Sequence, residues 1–252
     1  MIYKEENMLD TLKSRVFQGK QYIKDIKNAD IKSEFRGFPK ISEGSCDPSI
    51  CPTGALNINP LSIDMGKCTF CGACERVYEN IKLTNGYKLT SSSRDNLIVT
   101  SDSDYDEYVK SAIEVKHEIV KVFGHSLKLR QVSAAGCNGC EMELNACSNV
   151  NFDMGRFGID FVASPRHADG IVITGPISEN MAFALENCYN AVPNPKIVIL
   201  CGACAISGGI FQNSSTLNRE FLDKYSIDLY IPGCPVHPLT FINGILSYIG
   251  QK

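Results

Sequence analysis

The sequence predicts an α/β protein in two parts: a parallel, helix-covered sheet over residues 126–252 and a small α+β module over residues 31–100. Two features predict this. From about Ser126 short apolar runs alternate with helix-length segments, the order that builds a parallel sheet with crossover helices. The stretch before it, residues 36–100, is rich in turn residues and in cysteine and has no long periodic segment. Residues 1–30 and 101–125 are read as an N-terminal helix and a linker helix.

The elements follow in order. Within residues 8–28, Leu9, Leu12, Val16, Ile23 and Ile26 recur at helical spacing among basic residues, and Gly19 weakens the pattern. Such a helix either packs on its own domain or docks to a partner subunit or a membrane-proximal surface. The polar runs Ser91–Asn96 and Ser101–Glu107 read as linker. One helix is expected from about Asp106 to Phe123, with Val109, Ile113, Ile119 and Val120 among its apolar positions. Strands are predicted at Leu127–Ser133, Ile159–Ala163, Gly170–Thr174, Lys196–Cys201 and Asp228–Ile231. Helices are predicted at Glu141–Cys147, Ser178–Ala191, Ser215–Lys224 and Pro238–Ile249. In such sheets ligands bind at the carboxyl ends of the strands.

Composition narrows the function. A formal net charge of −3 supplies no basic field for nucleic acid. The start MIYKEENMLD is charged and lacks an apolar export segment, and no apolar run approaches the roughly 18–20 residues that cross a bilayer. The expectation is a cytoplasmic chain with no transmembrane segment of its own. In a reducing compartment its twelve cysteines point to metal or cluster ligation rather than disulfides.

Cys68-Thr-Phe-Cys71-Gly-Ala-Cys74 spaces three thiols two residues apart, whereas zinc sites usually use pairs. A distant cysteine followed by proline should complete the set, and Cys51-Pro52 fits. This half, from about Phe35-Arg-Gly-Phe-Pro39 to Arg94, resembles the two-cluster, ferredoxin-type subunit of complex I and of membrane-bound hydrogenases. It departs from that pattern: the first motif keeps only Cys46 and Cys51, and the second reads Glu75-Arg-Val-Tyr78 where a cysteine and proline belong. The resemblance therefore implies a ferredoxin-like domain with one 4Fe-4S cluster on Cys51, Cys68, Cys71 and Cys74, Cys46 being a leftover or buried thiol.

In the C-terminal half Cys137-Asn-Gly-Cys140 follows the first predicted strand, Cys204 the fourth and Cys234 the fifth. In a parallel sheet all four thiols share one edge. Two pairs, Cys137/Cys140 and Cys201/Cys204, would also suit tetrahedral zinc, leaving Cys234 without a purpose. Ser126–Arg130 leading into Cys137–Glu141, Ser164–Asp169, Thr174-Gly-Pro176, Gly202-Ala-Cys-Ala205 and Pro232-Gly-Cys-Pro235 resemble the small subunit of group 4, energy-converting NiFe hydrogenases. The homologous complex I subunit carries two adjacent cysteines at the first position, where this chain has Cys-x-x-Cys. The resemblance implies a flavodoxin-like domain whose Cys137, Cys140, Cys204 and Cys234 hold a second, proximal 4Fe-4S cluster. It further implies an electron-transfer small subunit, two clusters in all, working with a hydrogenase-type large subunit. Membrane-arm or further ferredoxin-like subunits, and a soluble ferredoxin as donor, complete the implied partners, and the implied place is peripheral on the cytoplasmic side of the membrane. Alternatives are the same relay in a hydrogenase-related or complex I-like oxidoreductase lacking nickel, a free-standing carrier, and a zinc-stabilised interaction protein.

Other polar residues keep two readings. Glu141 and Glu143 suit a helix N-terminus, and by the resemblance a proton-transfer role. Arg166 and His167 face the cluster, a partner or solvent. His237 reads as structural, and Cys147, Cys188 and Cys201 as small apolar side chains.

Overall fold

The computed structural model describes residues 8–19, 21–115 and 117–251. The charged start, residues 1–7, lies outside them. The N-terminal half holds helix α1 (Met8–Gln18), strands β1 (Pro39–Ile41), β2 (Leu56–Ile58) and β3 (Leu61–Asp64), helix α2 (Ala73–Val77), and strands β4 (Ile81–Leu83) and β5 (Ile98–Thr100). β1 pairs with β4, and β2-β3-β5 form a second sheet, both antiparallel. This is the expected α+β module. Helices α3 (Tyr105–Ser111) and α4 (His117–Phe123) follow.

The C-terminal half runs β6 (Leu127–Ser133), α5 (Gly139–Ala146), β7 (Ile159–Phe161), β8 (Gly170–Thr174), α6 (Glu179–Ala191), β9 (Ile197–Cys201), α7 (Ala203–Ser207), α8 (Glu220–Lys224), β10 (Leu229–Ile231) and α9 (Pro238–Tyr248). All pairings are parallel and the spatial order is β7-β6-β8-β9-β10. Numbered within this half, that is 2-1-3-4-5, the flavodoxin-like order. Alternation divides the strands between two cores: Ile197, Ile199 and Cys201 face α5 and α9, while Val198 and Leu200 face the α6 side and the N-terminal module. Burial on both faces explains the near-continuous apolar runs.

Three expectations are corrected. The first helix stops at Gln18, where Gly19 takes the left-handed conformation at φ +63°, and Ile23 and Ile26 lie beyond it in irregular chain. Lys20 lies outside the described residues. Ile26 is buried against the C-terminal sheet domain, whereas Leu12, Val16 and Phe17 of α1 are exposed. Second, the predicted helix from Asp106 to Phe123 is two helices: the Ala112 carbonyl accepts from Ser91 Oγ at 2.8 Å and Ser92 N at 3.0 Å, which holds α3's end against the module (Lys116 is also undescribed). Third, Ser91 is no linker residue. It is fully buried and exchanges backbone hydrogen bonds of 2.8 and 3.0 Å with Tyr230 of β10, so the two halves are joined along a sheet edge. Among the described residues no helix is long and apolar enough to cross a membrane.

Candidate metal centres

The first thiol set gathers on three turns. Asp47 caps a single helical turn, accepting from Ser49 N at 2.9 Å, and Cys51 ends that turn. Cys51 Sγ accepts from Ala55 N at 3.2 Å. Burial opposes ionisation of this thiol, but amides of Thr53, Ala55 and Leu56 outweigh it and lower its pKa. Cys68 Sγ accepts from Phe70 N at 3.3 Å, and its burial, with Cys74, Cys51 and Cys71 around it, pushes the thiol up to about 12. Cys74 lies in α2, behind Gly72. All four predicted residues are therefore neighbours.

Cys46 packs against the same small core of Ile41, Leu56, Ile63 and Ile81 as Cys51, Cys68, Cys74 and Tyr78. Tyr78 stands four residues after Cys74, where a Cys-x₂-Cys-x₂-Cys-x₃-Cys run carries its fourth cysteine. Its hydroxyl instead accepts from Asp47 N at 2.9 Å.

The second set lies at the carboxyl edge of the parallel sheet, in the loops after β6, β9 and β10. Cys140 is in the first turn of α5 and Cys204 in α7, while Cys137 and Cys234 are exposed. Burial pushes Cys140 up to about 12, offset by a hydrogen bond from Val236 N, with Cys234 and Cys204 among the nearby charges. Burial likewise pushes Cys204 up to about 11, with Cys234 and Cys137 beside it. Gly202 makes this approach feasible: its φ is +95°, and a Cβ there would fall 2.6 Å from Cys140 Sγ. Cys201, the rival zinc residue, ends β9 fully buried with Ile199, and Cys147 is buried in the same core. Cys188 is half-buried against the opposite core.

Sequence reasoning missed Arg219. Its half-buried guanidinium donates to the carbonyls of Pro176 (2.9 Å), Cys204 (3.2 Å), Ala205 (2.8 Å) and Ile206 (3.0 Å), fixing α7 and its thiol. Nothing in Asn218-Arg219-Glu220 signals this, because the acceptors lie in other segments. Glu141 turns inward, accepting from Ser133 Oγ at 2.6 Å and Thr174 Oγ1 at 2.7 Å. It ties the ends of β6 and β8 below the thiols. Glu143 is half-buried, and desolvation raises its carboxyl pKa. His237 caps α9, Nδ1 accepting from Leu239 N at 3.1 Å, as a structural residue would. Arg166 and His167 are exposed in the turn before β8, whereas the thiols follow the strand ends.

Among the described residues no three Cys, His, Asp or Glu side chains gather closely enough to hold one metal ion. Thiolates on a four-iron cluster each bind a different iron and stand further apart. The donor chemistry of both sets, thiols approached by backbone N–H groups and glycine, fits such a cluster.

Residues 137–248 match the family described as NADH ubiquinone oxidoreductase, 20 Kd subunit. A protein named as a probable membrane-bound hydrogenase subunit of Pyrococcus furiosus is 35% identical over 129 residues, covering 51% of this chain and 77% of that one. This chain belongs to that family. Formate hydrogenlyase subunit 7 of Escherichia coli is 37% identical over 56% of this chain and 55% of its own length. An NADH-quinone oxidoreductase subunit of Citrifermentans bemidjiense is 40% identical over 43% of this chain and 63% of its own. The matched family segment contains Cys137, Cys140, Cys204 and Cys234, and the first thiol set lies outside it.

Proposed function

We propose that this chain is the electron-transfer small subunit of a membrane-associated group 4 NiFe hydrogenase complex, relaying electrons to or from the large subunit's active site. Two 4Fe-4S clusters are assigned, one to Cys51, Cys68, Cys71 and Cys74 and one to Cys137, Cys140, Cys204 and Cys234. The observation that carries the reading is the gathering of two separate four-thiol sets, with Cys234 of one and Phe70, the chain neighbour of Cys71 of the other, lining the same cavity. Bound there, the clusters supply one-electron exchange. The chain supplies the rest. Amides of Ala55, Phe70 and Val236 stabilise thiolate charge, Arg219 fixes the Cys204 helix, and Glu141 locks the strand ends beneath Cys140. Exposed Met142 and Ile210 flank the second set as apolar anchors for a large subunit. Membrane-arm subunits or a ferredoxin donor complete the assembly, peripheral on the cytoplasmic side.

A second reading, the same relay in a complex I-like oxidoreductase without nickel, is favoured by the comparable identity to the quinone oxidoreductase subunit. A co-purified large subunit with two Cys-x-x-Cys pairs supports the hydrogenase, and one without them the alternative. The test of both is anaerobic purification with iron and acid-labile sulfide quantified, and EPR of the dithionite-reduced protein. About eight irons and two interacting signals are expected. Zinc without iron overturns the electron-transfer function.

A further inference from the structure

The loops that carry the two thiol sets border one cavity. It has a volume of about 200 Å³ and is lined by Phe70, the chain neighbour of Cys71, and by Arg36, Cys234, Pro235 and His237. The segment Phe35-Arg36-Gly37 spans this seam. Phe35 packs edge-on against His237 of the C-terminal half, ring centres 5.4 Å apart. Gly37 is anchored in the module, its N–H donating to Thr84 O at 2.6 Å. Between these anchors Arg36 reaches the first thiol loop, where Nη1 donates to Phe70 O at 3.3 Å and Cys71 O at 3.2 Å.

The loop needs such a brace. Phe70 holds a left-handed φ of +53° and Gly72 one of +72°, so Cys71 sits between two backbone reversals. The Arg36 side chain also covers Gly72, where an added Cβ would fall 3.1 Å from Nε. Arg76 of α2 donates to the same Cys71 carbonyl at 3.1 Å but does not line the cavity. Two cations therefore share one carbonyl, and of the two Arg36 faces the second thiol set.

We propose that Arg36 is a positioning residue that holds the Cys71 corner of the first thiol set against Cys234 and so sets the coupling between the two sites. The proposal rests on the two-cluster reading above. Two consequences separate it from a surface cation. Removing the brace lets Cys71 move relative to Cys234, which weakens the magnetic interaction between two reduced clusters. Removing the positive charge beside Cys71 disfavours an added electron and lowers the potential of the N-terminal site.

The experiment is a redox titration by EPR on the purified complex, with iron quantified for every variant. Arg36→Met should keep about eight irons, weaken the interaction between the two signals and lower the N-terminal potential. Arg36→Lys, which keeps the charge and a donor, should recover most of both. Arg76→Met should lower the same potential while leaving the interaction intact. If Arg36→Met fails to load, Arg36→Gln is read instead: its donor should preserve the interaction while the potential falls. Eight irons with an unchanged interaction in Arg36→Met overturns the positioning role, as does loss of the interaction in Arg36→Lys. An unaltered complex with iron at one set overturns the two-cluster reading first, and the proposal with it.

Discussion

Gly202→Ala tests whether the Cys140–Cys204 approach depends on a missing side chain. Gly202 has φ +95° and ψ 156°, a region costing a residue with a Cβ about 1–3 kcal/mol. The new Cβ would stand 2.6 Å from Cys140 Sγ. Ordinary contact is about 3.5–4.0 Å, so the sulfur must retreat by about 1 Å. Cys140 is fixed in the first turn of α5, and relieving such overpacking costs about 1–3 kcal/mol more. The sum, about 2–6 kcal/mol, is a large share of the roughly 5–15 kcal/mol that holds a typical domain folded. At about 2–4 °C per kcal/mol in a chain of this size, thermal unfolding should fall by about 4 °C or more. Iron at the second set should fall with it. Gly54→Ala is the control: its φ is +62° and an added Cβ meets nothing within 4 Å. That variant should lose only about 1–2 kcal/mol and keep its iron. A Gly202→Ala protein with full iron and an unfolding temperature within about 1 °C of the unaltered one would refute the reasoning, since its lost stability would then be below about 0.5 kcal/mol.

Cys71→Ser and Cys140→Ser should each reduce iron from about eight to about four atoms per chain, and losing all eight from one change would show that the sets are not independent. Arg219→Met removes a charged donor from four carbonyls and should cost about 2–4 kcal/mol by urea unfolding, with partial recovery in Arg219→Lys. Glu141→Leu leaves the Ser133 and Thr174 hydroxyls without their acceptor and should cost about 2–3 kcal/mol, whereas Glu141→Gln should stay within about 1 kcal/mol; equal losses would count against the hydrogen-bond account. In the metal-free chain Cys68 and Cys140 are held protonated by burial, their thiols pushed up to about 12. Above the unfolded thiol's pKa of about 8.5 the unfolded chain binds fewer protons, so stability falls as pH rises, by at most about 1.4 kcal/mol per unit per thiol. A urea midpoint that is flat or rises between about pH 8 and 10 contradicts this.

The C-terminal half was legible because its signals are local. Apolar runs such as Gly170–Thr174 and Ile197–Cys201 need both faces covered, and that requirement shows in single segments. Parallel order then forces the loops after β6, β9 and β10 to one edge, so Cys137, Cys140, Cys204 and Cys234 converge without any knowledge of contacts. The polar residues were less legible. Glu141 does lie in the first turn of α5, but its carboxylate is also a buried acceptor between two strands; Ser91 looked like linker and is an edge pairing.

By itself, then, the sequence determined the five strands of the C-terminal half, the two thiol motifs and the sheet edge that collects one of them, since periodicity and spacing are carried by neighbouring residues; the short strands of the N-terminal half and α7 were not among its predictions. Only the tertiary structure decided that α1 ends at Gln18, that Ser91 joins Tyr230, that Arg219 serves carbonyls from Pro176 to Ile206, and that Arg36 reaches the Cys71 carbonyl while lining one cavity with Cys234. Each of those outcomes depends on partners distant in the chain, and a hydrogen-bonding side chain carries no local mark of which distant carbonyl it will reach.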